Sequence, residues 1–189
     1  VAVLNNYYPR FIKKTIGALL MALCLIYLYT LLHEGGHALV AILYGGEIEK
    51  FVLGFNAHVT YYGANFTQFG LALCNAAGVL FPAICLCIAL IFYNRNIKNV
   101  LYHYIYYGMT IGIAGSLLAW IVIPVISLYA APPAGDDVTK FLMVTGMNPL
   151  IVSALALLLM GSFLFIAYKK GLFAKFKEFY SMLKSEQRN

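Results

Sequence analysis

The sequence predicts an all-α polytopic membrane protein with about four transmembrane helices and a small β-hairpin insertion after the first. Two observations carry this prediction. Of the 189 residues, 62% are hydrophobic and only 11% are charged, which leaves too little polar surface to cover a soluble domain. The apolar residues also form four runs, each longer than the about 20 residues that a helix needs to cross a bilayer. We therefore expect a single integral membrane domain over residues 1–189.

The first apolar run, residues 15–44, follows a basic segment that contains no acidic residue (1–14) and ends at Gly45. It exceeds the length that a bilayer requires, so the helix should tilt or project beyond the membrane. Residues 47–67 are then rich in β-branched and aromatic side chains and are broken by Gly54. This pattern predicts a hairpin rather than a helix.

Three further runs follow the predicted hairpin. The second covers residues 68–93 and the third covers 100–130, with a short basic turn between them. A break that is rich in proline, glycine and aspartate (131–137) separates the third run from the fourth, 142–168, in which Asn148-Pro149 is a candidate interruption. The tail, 169–189, alternates lysine with large apolar residues, which predicts an amphipathic basic helix on the membrane surface, with a solvated helix as the alternative.

Basic residues cluster on one side of the predicted spans. With four spans both termini lie on that side, where segments 1–14, 94–98 and 169–189 carry net charges of +3, +2 and +4. Segments 45–67 and 131–140, on the other side, each carry −1. The positive-inside rule therefore places both termini in the cytoplasm of a cell-membrane protein. The basic charge indicates orientation and contact with membrane lipids, and we find no nucleic-acid motif.

A polar cluster, His33-Glu34-Gly35-Gly36-His37, interrupts the otherwise apolar first run. Two histidines four residues apart lie on the same face of a helix, so both imidazoles aim at one metal ion. This is the H-E-x-x-H pattern, in which the histidines bind zinc and the glutamate acts as a base. Because ionisable groups inside a membrane span are costly and functional by default, we expect a zinc site within the bilayer.

A catalytic zinc site has a third protein ligand, and depth in the membrane selects among the candidates. If the first helix enters the bilayer near Lys14, His33 lies about 28 Å further along the axis, towards the far side. Asp136 and Asp137 follow the third run on that side. We expect one aspartate to bind the metal and the other to cap a helix or to hold a ligand histidine. The candidates with less support from depth or spacing are Glu47, Glu49, His58 and His103.

These motifs resemble the site-2 protease family of intramembrane zinc metalloproteases. The histidine–glutamate motif in a transmembrane helix is followed far downstream by an aspartate. Residues 76–82 in the second span are similar to the small-residue, proline-containing segment of that family, and the likeness covers roughly residues 15–145. The sequence departs from the family in one motif, because residues 132–137 replace its usual Asn-Pro…Asp-Gly, as in a divergent branch. Family members also hold zinc near the cytoplasmic face, whereas the charge count places it near the opposite one.

The resemblance implies an enzyme of regulated intramembrane proteolysis that hydrolyses peptide bonds of transmembrane protein or peptide substrates. His33, His37 and an aspartate would bind Zn²⁺, and Glu34 would act as the general base on water and then protonate the leaving amine. Asn75 and His58 are candidate donors to the carbonyl oxygen, and the spacing favours neither. The alternative is a non-catalytic membrane protein that binds transmembrane helices, which would have no need of Glu34.

Overall fold

A computed structural model describes residues 2–54 and 56–185 of the chain, with side chains at 16–54 and 56–182. Its described part contains six helices and one two-stranded antiparallel sheet. The sheet follows the first helix, so the predicted helical fold with a hairpin insertion is confirmed. The elements are α1 (Ala2–Leu43), β1 (Glu47–Val52), β2 (His58–Tyr62), α2 (Gln68–Phe92), α3 (Val100–Ile126), α4 (Asp137–Thr145), α5 (Pro149–Lys169) and α6 (Leu172–Ser185).

Four helices are long and apolar enough to cross a membrane: the Ile16–Leu43 part of α1, together with α2, α3 and α5. Large apolar side chains cover their outer faces, and Leu19, Leu158 and Phe92 are 65% to 73% exposed. Helices satisfy their own backbone hydrogen bonds, so such faces are stable against lipid. The chain is therefore a multi-pass integral membrane protein.

The fourth span begins at the candidate interruption, Asn148-Pro149, rather than at residue 142. Residues 142–148, which we expected within it, form the end of the short helix α4 and the turn that follows. Gly146 ends α4 in the left-handed conformation (φ +63°), which glycine adopts without strain. Asn148 then caps α5 by accepting a hydrogen bond from the Leu150 N–H (2.9 Å). Pro149 occupies the first position of α5, where a helix has no use for its missing N–H.

The helices α1 and α2 approach each other closely at the second glycine of the H-E-x-x-H motif. A Cβ atom on Gly36 would clash with the Ala77 carbonyl oxygen of α2, so only glycine permits this approach. Gly35 is less constrained, because a Cβ atom there would lie 4.0 Å from its nearest neighbour, in Phe81. The contact brings the middle of α2 against the histidine face of α1.

The hairpin contacts α1 and the first half of α2. The strands pair from Glu47 opposite Tyr62 to Val52 opposite His58. Tyr61 of β2 packs against the hydrophobic cluster between α1 and α2, and its hydroxyl lies 3.5 Å from Cys74 Sγ. The predicted hairpin therefore lies beside the H-E-x-x-H motif rather than apart from the helices.

The predicted tail helix is present as α6, and residues 186–189 lie outside the described part of the chain. Its aromatic face packs against α3, where the Phe176 and Tyr107 rings stack with centroids 3.8 Å apart. The next residue, Lys177, is exposed. Protein thus covers part of the apolar face that we expected to contact the membrane surface.

Candidate metal centre

Three side chains from α1 and α4 converge: His33, His37 and Asp137. The two Nε2 atoms of the histidines are 3.3 Å apart. Asp137 Oδ2 lies 3.2 Å from the His33 Nε2 atom and 3.1 Å from the His37 Nε2 atom. The four-residue spacing places both imidazoles on one face of α1, and α4 begins beside them. Three possible ligand atoms therefore form a nearly equilateral triangle.

The two adjacent aspartates occupy different positions. Asp136 is the N-cap of α4, and its Oδ1 atom accepts hydrogen bonds from the backbone N–H groups of Val138 (2.8 Å) and Thr139 (3.1 Å). Asp137 is the first helical residue and turns towards α1. Of the pair, Asp137 is the one that contacts the histidines.

Each histidine has a second hydrogen-bonding partner that orients its ring. His37 Nδ1 lies 2.7 Å from the backbone carbonyl oxygen of Cys74 in α2. His33 Nδ1 lies 3.3 Å from the hydroxyl of Tyr29, one helical turn earlier. When the rings are neutral and carry their proton on Nδ1, each donates to its partner, and the Nε2 lone pair faces the triangle. This is the tautomer that a metal ligand requires.

The surroundings of Asp137 keep its carboxyl group ionised. Burial raises the pKa of this group, but when the two histidines are protonated on Nε2, hydrogen bonds and charge interactions with His33 and His37 outweigh burial and hold the pKa well below its usual range. Lys140 Nζ lies 3.9 Å from Asp137 Oδ1, on the more exposed side. A carboxylate that stays charged at physiological pH is suited to bind a cation.

These three residues fit a zinc ion. Ligand atoms at zinc bond lengths of about 2.0–2.2 Å and tetrahedral angles are about 3.3–3.6 Å apart, close to the 3.1–3.3 Å measured here. Two imidazoles and one carboxylate also form a donor set of catalytic zinc, which keeps a fourth position open. Gly78 of α2 leaves room for the rings, because a Cβ atom there would lie 2.5 Å from both His33 Cε1 and His37 Nε2.

A cavity of about 390 Å³ adjoins the triangle. Its wall is built by α1, the hairpin, α2 and α4, and it includes the three converging residues. Glu34 also lines it, although this residue is only 8% exposed. The Glu34 carboxylate makes no hydrogen bond or ion pair within the described residues. It is therefore free to interact with a molecule in the cavity.

The comparison with known families agrees with this geometry. The model of the Peptidase M50B-like family matches residues 16–172, which is most of the chain. The chain belongs to the Peptidase M50B-like family. This is the site-2 protease family of membrane metalloproteases, so the resemblance seen in the sequence is confirmed. No curated protein and no solved structure matches the chain.

The M50B-like match does not assign individual residues, so the remaining ligand candidates are judged by position. His103 is fully buried, and its ring nitrogens lie 2.8 Å from the Tyr93 hydroxyl and 2.6 Å from the Ile97 carbonyl oxygen. Glu47 accepts a hydrogen bond from the Tyr62 hydroxyl within the hairpin. Neither residue contacts the triangle. Glu49 is exposed on the hairpin.

The two candidate carbonyl-oxygen donors, Asn75 and His58, both line the cavity. The Nδ1–H of His58 donates to the Asn56 carbonyl oxygen (2.9 Å). Two residues near the site were not predicted from the sequence. Lys140 lines the same cavity, and the Tyr29 hydroxyl contacts His33 Nδ1. Helical spacing could have identified both as neighbours of the proposed ligands. Tyr29 precedes the first motif histidine by four residues, and Lys140 follows Asp137 by three.

Proposed function

We propose that this chain is an intramembrane zinc metalloprotease that hydrolyses peptide bonds of membrane-embedded protein substrates. One observation carries the proposal: His33, His37 and Asp137 converge within 3.3 Å of one another, and Glu34 lines the cavity beside them. Membership of a membrane metalloprotease family supports it. The four apolar helices support a substrate that reaches the site from within the membrane.

In this proposal the Nε2 atoms of His33 and His37 and the Oδ2 atom of Asp137 hold Zn²⁺. When bound, the ion supplies a Lewis acid that polarises a peptide carbonyl and makes water more acidic. The Glu34 carboxylate takes a proton from the water that attacks the carbonyl carbon. It then passes the proton to the amine nitrogen as the C–N bond breaks, so the carboxylate is restored.

Water needs a route to this site, and the cavity is suited to supply one. Its wall is mainly polar, unlike the surfaces of the spans around it. Lys140 is 51% exposed at its edge, and His58 of the hairpin is partly exposed. We therefore infer that water enters between the hairpin and α4, while apolar helix faces keep lipid away from the reacting bond.

We also propose that residues 1–189 form one membrane domain with both termini in the cytoplasm. The charge distribution supports this orientation. Lys170 Nζ donates to the Ile91 carbonyl oxygen (2.8 Å), which brings the tail and the basic α2–α3 turn to the same end of the bundle. Labelling of a Lys177→Cys variant from outside intact cells by a membrane-impermeant reagent would overturn the orientation.

Zinc removal and replacement test the proposed reaction. Purified protein in liposomes is expected to cleave members of a panel of transmembrane peptides, to stop when a chelator removes zinc, and to resume when zinc alone is returned. Mass spectrometry of the products measures cleavage and locates the bond. Zinc-loaded protein that binds these peptides without cutting any of them would contradict the proposal and indicate a helix-binding protein.

A further inference from the structure

Asn75 of α2 is a largely buried polar residue that faces the cavity. Its side chain is 8% exposed, and its amide makes no hydrogen bond within the described residues. It nevertheless lines the cavity beside the metal centre. The amide is therefore not sealed inside the protein but opens onto the cavity, where its unused hydrogen-bonding capacity is available to a bound molecule.

The other buried polar residues show how selective this feature is. In the described part of the chain these are Glu34, His37, Asn75, His103, Thr110, Thr139 and Ser153. Five of them hydrogen-bond to a backbone carbonyl or to a side chain. The two that do not are Glu34 and Asn75, and both line the same cavity. The cavity therefore contains one unpartnered carboxylate and one unpartnered amide.

The position of Asn75 is fixed relative to the histidines. The carbonyl of the preceding residue, Cys74, accepts the hydrogen bond from His37 Nδ1 (2.7 Å). Gly78, three residues later on the same helix face, lies directly against both imidazoles. These two contacts on either side hold this part of α2 in one register against α1, so the backbone position of Asn75 is fixed relative to both histidines.

We propose that Asn75 Nδ2 donates a hydrogen bond to the carbonyl oxygen of the peptide bond that is cut. This assignment rests on the proposed function and deepens it. Attack by water forms a C–O bond and moves charge onto this oxygen, where a preorganised neutral donor stabilises the transition state. Asn75 transfers no proton, since Glu34 carries the proton from water to the leaving amine.

The other donors around the cavity are less suited to this role. Lys140 is half exposed and pairs with Asp137 (3.9 Å). His58 is engaged with the Asn56 carbonyl oxygen, and the Tyr61 hydroxyl lies next to Cys74 Sγ. Asn75 is the buried neutral donor that faces the cavity with its hydrogen-bonding capacity unused.

An Asn75→Leu variant tests the proposal, because leucine has a similar size and no donor. We expect kcat to fall by about 100-fold or more, as for removal of one such donor, while KM and the zinc content stay at wild-type values. The melting temperature should not fall, because an apolar side chain replaces an unpartnered polar one. Asn75→Gln, which keeps an amide donor, should recover part of the lost kcat. Thr110→Val is the matched control, since it removes a buried hydroxyl of α3 that bonds to the Tyr106 carbonyl, and it should leave kcat unchanged.

Each other result overturns the assignment. An Asn75→Leu variant that keeps wild-type kcat shows that the amide does not act in the reaction. A loss of activity that accompanies lost zinc or a lowered melting temperature shows a structural role instead. If wild-type protein with bound zinc cuts no peptide, both the proposed function and this assignment are wrong. If wild type cuts and Asn75→Leu cuts equally well, the assignment alone fails.

Discussion

The Glu34→Gln variant is expected to lose most of its peptidase activity and to keep its zinc. Glutamine preserves the size of the side chain but cannot accept the proton of the attacking water. Loss of a positioned general base lowers kcat by about 10²–10⁴-fold. Because Glu34 lies outside the triangle of possible ligands, we expect one zinc per chain and an unchanged KM. Cleavage assays together with elemental analysis measure the three quantities.

A Glu49→Gln variant is the matched control for this prediction. It removes the same charge from an exposed position on the hairpin and should retain wild-type kcat. Activity of Glu34→Gln within about tenfold of wild type would mean that another group takes the proton. Loss of zinc from Glu34→Gln would instead make Glu34 a part of the metal site.

Substitution of Asp137 by alanine is expected to remove both zinc and hydrolysis. The change deletes one of three converging ligand atoms and leaves only the two imidazoles of this group. Loss of a residue that only orients a ligand already weakens metal binding by about 10–100-fold. Loss of a ligand itself should therefore weaken zinc binding by a larger factor. Zinc per chain after dialysis, measured by elemental analysis, tests the prediction.

The neighbouring Asp136→Ala variant is the matched control. Asp136 caps α4 through the N–H groups of Val138 and Thr139, so its loss should lower the free energy of unfolding by about 1 kcal/mol. The zinc content should stay near one per chain. Zinc lost with Asp136→Ala and kept with Asp137→Ala would reverse the roles that we propose for the pair.

Local pattern was sufficient to predict much of this molecule. The spacing of His33 and His37 determines a shared helix face regardless of the surrounding fold. The four spans follow from length and hydropathy, and Gly45 with the β-branched segment after it predicts the hairpin. These features depend on residues that are close in sequence, where helical and strand periodicity apply.

The remaining features depend on contacts between distant segments. Either Asp136 or Asp137 satisfies the sequence preference for an N-cap, and only the packing of α4 against α2 and α3 determines which one faces the histidines. The role of Gly78 as space for two imidazoles requires knowing which face of α2 meets α1. The separation of α4 from the fourth span is the exception, because it follows from two short-range signals, Gly146 and Asn148, that the mean hydropathy of this run does not register.

X-ray absorption at the zinc edge of the purified wild-type protein tests the central claim most directly. We predict one zinc per chain whose nearest neighbours are nitrogen and oxygen at about 2.0–2.2 Å, with outer-shell scattering from two imidazoles. Cys74 lines the same cavity and is the nearby rival ligand. A sulfur neighbour at about 2.3 Å, or protein that binds no zinc when prepared with the metal, would contradict the site of His33, His37 and Asp137.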